Sequence, residues 1–369
     1  MASISIIGGT WDGRDGRPSK IVKDLAKGID MSDKFSRMVV NNGGNYNSLE
    51  RGLEAACYIL ADVVIWMPDI PNSLPKLRNI KSAFPKVILV SSKRNISDEY
   101  SFQDVMAHGL ALKSNLVLEI RKLNDLFIGS LFDTLGNVWR DTTTNFKELG
   151  LAIANRSRDL MDIKRQGTVQ SPEKEDPIIP LCPAGGTLEF LKVVKDTADT
   201  FHKLIRPAEG INRFLGNASF RCERGFPSLR FKDGRIYMSK RNVDKRSIEL
   251  NAFVQVGLNN KTGVVWYRGQ HKPSVDTVVQ VRLYKSLINI HYMIHSHVYE
   301  KHAPSTSRMI PCGGLEEVKE VLDVISNNDL RGRSHFAINL KGHGSIVFMN
   351  DPRSFDKFEF RARPTPETM

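Results

Sequence analysis

The sequence predicts an α/β fold in two parts, on three observations. Up to about Leu160, short β-branched runs alternate with stretches of helical spacing, which argues for an open parallel sheet wrapped by helices. From about Asp162 the chain is rich in proline, glycine and charge and loses its periodicity, as a linker or long surface connection does. Beyond that stretch, short strands are separated by hairpin signals, so the second part is a mixed domain with an antiparallel sheet and flanking helices. The expected division is a first domain over 1–160, a linker over 161–186 and a second domain over 187–369.

In the first part "SISIIGG" is a β run ending in glycines, and "PSKIVKDLAKGI" follows with helical spacing. "SRMVVNNGG" is another such run, and "SLERGLEAACYIL" is a helix candidate. "ADVVIWMPDI" and "PKVILVSSKRN" are apolar and bounded by turn residues, as buried parallel strands are. "SFQDVMAHGLALKSN" reads as a helix and "LVLEIRK" as the strand after it. This alternation is Rossmann-like, and in such sheets ligands bind beyond the carboxyl ends of the strands.

The strand-end candidates are Gly8-Gly9-Thr10, Asn42-Gly43-Gly44, Pro68-Asp69 and Ser91-Ser92-Lys93-Arg94. Glycine there lets backbone N–H groups approach a phosphate, and Ser, Lys and Arg supply further donors. Gly8, Gly9, Thr10, Ser92 and Lys93 are therefore candidate contacts to a nucleotide or sugar phosphate, with ordinary turn chemistry as the alternative. The pattern is neither GxGxxG nor a P-loop, since no GK[ST] follows. Asp12 and Asp15 have the chemistry for a metal or a ribose, but Asp-Gly pairs are more often turns.

In the second part "GTLEFLKVVKDTADTFHKLI" opens a helix. Short strands follow in "RFLGNASFRCE", "SLRFKDGRIYMS" and "AFVQVGLNNKTGVVWYRG", where "DG" and "NNKTG" are hairpin signals. "SVDTVVQVRLYKSL" is a helix candidate that leads into an apolar strand carrying histidines.

Composition bounds the function. The chain has 369 residues, 41% hydrophobic and 25% charged, within the range of soluble globular proteins. Cys57, Cys182, Cys222 and Cys312 are widely spread and form no CxxC pair, as expected of reduced thiols. No apolar run reaches the roughly 18 residues of a membrane span, and "MASISIIGGTWDGRDGR" has no signal-peptide pattern, so a cytoplasmic location without membrane attachment is expected. The net charge of +12 suits phosphorylated small molecules or a solvated basic surface. No helix-turn-helix, zinc-finger or RNP-type motif accompanies it, so nucleic acid is not the expected partner.

Four of the nine histidines lie in "IHYMIHSHVYEKHA". Side chains alternate along a strand with period two, so His295 and His297 share a face and offer two imidazoles to one transition metal. A catalytic zinc usually takes three protein ligands. His271, His291, His302, His335 and His343 are candidates for the third, and His343 stands out between two glycines after an apolar strand. Asp276 begins a helix 19 residues ahead of His295, with one helix and one turn between, an arrangement that can return an acidic group to the histidine strand for proton transfer or ligation. Ser274 and Asp276 also fit ordinary helix N-terminal positions.

"GNASFR", "KPSVDTVVQVRLYK", "HYMIHSHVYEKHA", "IPCG" and "LKGHGS" occur in an order that resembles the class II aldolase/adducin family, which includes fuculose-phosphate aldolases, ribulose-phosphate 4-epimerases and the non-catalytic adducin head. The resemblance spans roughly Thr187 to Phe360 and implies a class II aldolase-like α/β domain; the first half has no counterpart in that family. It implies a Zn²⁺ ion, or another divalent transition metal, on His295, His297 and His343. The acidic group falls at Asp276, where the family's aldolases carry Glu and its 4-epimerases Asp. Asn217, Ser239 with Lys240, and Ser274 match residues that contact substrate or its phosphate.

The implied activity is an aldolase (lyase) or epimerase reaction on a phosphorylated sugar through a metal-stabilised enediolate, in a homo-oligomer, commonly a tetramer. A binding or scaffold protein that keeps the fold, like adducin, is the alternative. The sequence departs from the family at Val275, in place of a serine, and at Gln280, in place of a histidine. The family's C-terminal helix is not evident after His343. Cys312 falls near the site by this resemblance, with nothing to mark it as a nucleophile.

Overall fold

The structure, a computed structural model, describes residues 2–10, 18–44, 61–68, 87–95, 102–166, 171–172, 186–205, 214–222 and 235–362. Asp12, Asp15, Cys57, Asp69, Cys182, the "SLERGLEAACYIL" helix candidate, the "DG" hairpin signal and most of the expected linker lie outside those residues. The chain divides into two compact units, one built on residues 1–164 and the other on 165–207 and 212–364.

The first unit runs β1 (Ser3–Thr10), α1 (Lys20–Asp30), β2 (Arg37–Gly43), β3 (Val63–Trp66), β4 (Ile88–Asn95), α2 (Phe102–Ala111), β5 (Leu116–Leu123), β6 (Leu126–Asp133), β7 (Val138–Thr143) and α3 (Phe146–Gln166). Its seven strands are ordered β2-β1-β3-β4-β5-β6-β7. The first five are parallel, and β6 and β7 add an antiparallel edge. The chain leaves β1 for β2 on one side and returns to β3 on the other, which creates a topological switch point at β1/β3.

Periodicity explains the core of this unit. Ile4, Ile6, Val63, Ile65, Ile88, Val90, Leu116 and Leu118 pack against Val22, Leu25 and Ile29 of α1 and Leu149 and Ile153 of α3. The α1 positions recur at spacings of three and four, one helical stripe. Ser19 caps α1 by accepting the Val22 N–H. Strands β6 and β7 and helix α3 go beyond the elements expected from the sequence. Their cue is the pair Asn124-Asp125 between Leu123 and Leu126, a two-residue turn with Asn124 at φ +54° that folds β6 back on β5.

The second unit contains β8 (Ser171–Pro172), α4 (Thr187–Ile205), β9 (Asn217–Cys222), β10 (Arg235–Ser239), β11 (Phe253–Leu258), β12 (Val265–Tyr267), α5 (Thr277–Ser286), β13 (Tyr292–Ser296), β14 (Tyr299–Glu300), α6 (Glu316–Asn327), β15 (His335–Leu340), β16 (Gly344–Met349) and β17 (Phe360–Arg361). Eight strands form a sheet ordered β15-β16-β13-β9-β10-β11-β12-β8, antiparallel except for the β12/β8 pair; β14 and β17 pair separately. After His343 the described residues form β16, a 3-10 segment at Pro352–Lys357 and β17, with no α-helix.

Alternation divides this sheet into two cores. Met293, Ile346, Phe348, Met238 and Val254 pack with Val279, Leu283 and Tyr284 of α5 and Val321 and Ile325 of α6. On the other face Ala218, Phe220, Tyr292, Ile294 and Val347 pack with Phe190, Leu191 and Val194 of α4. Each fully buried aliphatic or aromatic side chain contributes roughly 1.5–3 kcal/mol relative to exposure, which fixes the register. His295, two residues after Met293, is thereby committed to the face that α5 and α6 cover. Among the described residues no helix is long and apolar enough to cross a membrane.

Candidate metal centre

The β9/β13 register sets His295 directly opposite Asn217, and the β13/β16 register sets it opposite Ile346. Opposite residues of an antiparallel pair share a face, so Asn217 and His295 project together beneath the start of α5. His297 follows the last residue of β13, and His343 lies in the turn between β15 and β16. Gly344 allows that turn to come close. Its φ is +134°, and a Cβ there would lie 2.0 Å from the Ser296 carbonyl oxygen and 2.7 Å from the His297 Cα. The glycine after His343 is thus a steric requirement for bringing the third imidazole to the other two.

The ring centroids of His295, His297 and His343 are 5.1 Å (295–297), 4.7 Å (295–343) and 5.2 Å (297–343) apart. Their residues are 3%, 7% and 1% exposed, and one ligand nitrogen from each lies within 4.8 Å of the others. His295 Nδ1 is 3.0 Å from the Ser345 carbonyl oxygen. In the neutral ring Nδ1–H therefore donates there and Nε2 presents its lone pair. That Nε2 is buried and has no hydrogen-bond partner among the described residues. Burial pushes the His295 pKa down to about 4, reinforced by His343, so the ring is neutral near pH 7.

Asp276 is the N-cap residue of α5, but its side chain makes no capping bond. Instead Oδ2 accepts from Asn217 Nδ2 (2.8 Å) and lies 3.8 Å from His295 Nε2, while Oδ1 is buried without a partner among the described residues. Asn217 also donates to Ser274 Oγ (3.1 Å) and accepts at Oδ1 from Gln280 Nε2 (2.5 Å). Gln280 Oε1 in turn accepts from Ser219 Oγ. A buried chain from Ser219 through Gln280 and Asn217 thus aims the Asp276 carboxylate, and Gln280 has a positioning task.

Three further residues complete the surroundings. His343 Nδ1 is 3.3 Å from Glu317 Oε1, and His343 Nε2 is 3.1 Å from Cys312 Sγ. Burial alone would lower the His343 pKa, but Cys312 and Glu317 reverse this and hold it well above the ordinary value. Burial pushes Glu317 up, against the hydrogen bond to His343. Lys245 donates to the carbonyl oxygens of Phe214 (3.1 Å) and Leu215 (3.3 Å), and burial pushes its pKa down to about 8 against the pull of Asp244 and Asp276. Lys245 also stands with Asn217 and His295 in the wall of a cavity of about 60 Å³. Sequence reasoning missed Glu317, Gln280 as a partner of Asn217, and Lys245. Glu317 had a cue: it begins the stripe 317, 320, 321, 324, 325 on the buried side of α6, where an apolar residue is expected.

The remaining sequence candidates fall as follows. Ser274 Oγ meets Asn217, beside Asp276. Ser239 is fully buried and its Oγ accepts the Ala218 N–H (3.1 Å); Lys240 is half-buried just after β10. Neither has a hydrogen bond to the imidazole cluster. His271, His291, His302 and His335 are not in that cluster either. In the first unit Gly8 and Gly9 end β1, where a Cβ on Gly9 would strike the Asn42 backbone 1.9 Å away. Thr10 ends the same strand and its side chain is not described. Ser92 and Lys93 lie within β4, which continues to Asn95, and Ser92 Oγ donates to the Met67 carbonyl (3.2 Å).

The donor set fits a divalent transition metal. Neutral imidazoles are its commonest ligands. A buried acceptor without a partner is rare in folded proteins, and here an imidazole nitrogen and a carboxylate oxygen share that condition at one point.

A comparison with curated proteins finds no match. Among solved structures, similarity is found to the DNA/pantothenate metabolism flavoprotein from Streptococcus pneumoniae, at 12% identity and a TM-score of 0.31, covering 42% of this chain and 98% of that one. A second is the C-terminal domain of the coenzyme A biosynthesis bifunctional protein CoaBC, at 12% identity and a TM-score of 0.34, covering 44% of this chain and 96% of that one. Scores at this level establish no common function. Residues 196–350, which contain His295, His297, His343 and Asp276, match the family of the Class II Aldolase and Adducin N-terminal domain.

Proposed function

We propose that the chain is a metal-dependent lyase or epimerase acting on a phosphorylated sugar, with zinc or another divalent transition metal held by His295, His297 and His343. The convergence of these three buried imidazoles beside the unpartnered Oδ1 of Asp276 carries the reading. When bound, the ion supplies a Lewis acid that polarises a ketone oxygen.

The chain's own residues supply the rest. Asp276, tied through Oδ2 to Asn217, offers Oδ1 to take up or return a proton beside that ketone. The Ser219–Gln280–Asn217 chain holds the carboxylate in place. Ser274, Ser239 and Lys240 are the proposed phosphate contacts, whose binding energy orients the reacting carbons. The family also contains adducins, and a scaffold is the rival reading. An unpartnered buried carboxylate oxygen and imidazole nitrogen cost stability and give a scaffold nothing in return.

Screening phosphorylated pentoses and hexoses against metal-loaded protein tests this. Turnover of at least one, lost by about 100-fold or more in Asp276→Asn with metal content unchanged, is the expected result. Metal-loaded protein that neither converts nor is thermally stabilised by any of them favours the scaffold. The same reading carries three coarser proposals: a nucleotide or sugar phosphate at Gly8, Gly9, Thr10, Ser92 and Lys93, a homo-oligomeric state such as a tetramer, and a cytoplasmic location. Thermal shift with nucleotides and light scattering test the first two; cell fractionation tests the third.

A further inference from the structure

We infer that Cys312 is a fourth protein ligand of the centre, its thiolate joining the three imidazoles from the side of His343. This rests on the metal-dependent reading above and goes beyond it, because the histidine motifs assign no role to the thiol.

The geometry is specific. Cys312 Sγ lies 3.1 Å from His343 Nε2, the nitrogen of that ring that Glu317 leaves free. The sulfur, a carboxylate oxygen of Asp276 and a nitrogen of His343 lie within 4.8 Å of one another, as do the three imidazole nitrogens. His343 belongs to both groups, so its ring joins the thiol to the imidazole cluster; Cys312 shares no such group with His295 or His297. A tetrahedral zinc with bonds of about 2.3 Å to sulfur and about 2.0–2.1 Å to nitrogen sets these two atoms about 3.5 Å apart, a few tenths from the separation found. The buried, unpartnered His295 Nε2 is an independent sign of a missing ligand at that point.

The chain holds the thiol there by local means. Cys312 lies in a turn closed by the Gly314 N–H bonding to the Pro311 carbonyl (2.9 Å), and Glu317 bonds back to Gly314 at the start of α6. One segment therefore delivers both the sulfur and the carboxylate that orients His343. Asp276 competes for the fourth position through its unpartnered Oδ1, but a thiolate is the stronger donor to a borderline-soft cation. Binding takes the thiol proton, which leaves to solvent. Asp276 is then left for proton transfer.

Cobalt substitution of the full-length protein reads the thiolate directly. The expected result is visible d–d bands together with a near-ultraviolet thiolate-to-cobalt band. In Cys312→Ser the near-ultraviolet band disappears, the visible bands persist and cobalt binding weakens at least about tenfold. Cys222→Ser, altered in the other core of the sheet, should leave every band unchanged. Visible bands without the near-ultraviolet band, or a band that survives Cys312→Ser, overturns the inference and leaves the three-histidine centre standing. Failure to take up cobalt or zinc overturns the metal reading with it. X-ray absorption at the zinc edge needs no variant: one sulfur at about 2.3 Å supports the assignment, and a shell of nitrogen and oxygen alone contradicts it.

Discussion

The Glu317 carboxylate lies 3.3 Å from His343 Nδ1, and the two residues are only 2% and 1% exposed. A carboxylate in that position fixes the tautomer of a metal-binding imidazole and raises its basicity. Glu317→Gln keeps the shape but weakens the hold on Nδ1–H. We predict metal affinity lower by about 10- to 100-fold with the far-ultraviolet dichroism unchanged, measured by competition with a chromophoric chelator. Equal affinities would assign Glu317 to packing alone.

Proton release follows from the same pair. The pKa of His343 is raised, so in metal-free protein the ring keeps its proton near pH 7. That charge stabilises the metal-free fold below the ordinary histidine pKa, and the contribution fades as pH rises through the folded value. A metal needs the neutral ring, so binding near pH 7 expels that proton together with the one from the Cys312 thiol, and affinity climbs by up to about tenfold per pH unit for each proton released. The His295 ring is already neutral above about pH 4 and adds nothing there. Calorimetry in buffers of different ionisation enthalpy counts the protons; a count of zero contradicts the assignment.

Gln280→Leu tests the buried polar chain. It strands Asn217 Oδ1, which Gln280 satisfies, whereas Ser219 Oγ keeps its bond to the Tyr284 hydroxyl (3.0 Å). Such an unsatisfied group costs about 1–3 kcal/mol, read as a lower urea midpoint in metal-free protein. Turnover should fall more than metal affinity, because Asn217 aims Asp276 and does not belong to the imidazole cluster. An equal loss in both would mean that the whole site has moved.

Gly344→Ala separates sterics from chemistry. The new methyl would meet the Ser296 carbonyl oxygen at 2.0 Å from a φ of +134°. Strain of this type costs about 1–3 kcal/mol, and the backbone must also retreat. We expect a lower melting temperature and loss of metal, although no ligand is altered. Retained stoichiometric metal would show that the turn can move without carrying His343 away.

The period of two around His295 and the helical stripe of α1 are legible in the amino-acid sequence, because they are local patterns that burial enforces. The antiparallel edge β6–β7 is marked only by the Asn124-Asp125 turn, since glycine and aspartate in "LFIGSLFD" and arginine and aspartate in "VWRDTT" interrupt the apolar pattern. At the site the histidines and Asp276 are readable from spacing and family motifs. Glu317 shows only as an acidic residue in the stripe of α6, and its role does not, because its partner His343 is 26 residues away and only the fold joins them. Its neighbour Glu316 looks identical in sequence, and only burial on α6 distinguishes the two. Gln280, a departure from the family, becomes intelligible once its bonds to Asn217 and Ser219 are seen.

Metal content of the purified full-length protein, compared with that of a His295→Ala, His297→Ala double variant of intact fold, tests the central claim most directly. About one zinc or similar divalent ion per chain in the unaltered protein, and essentially none in the variant, is the predicted result. A well-folded unaltered protein that stays metal-free after incubation with zinc, or a variant that retains the ion, would contradict it.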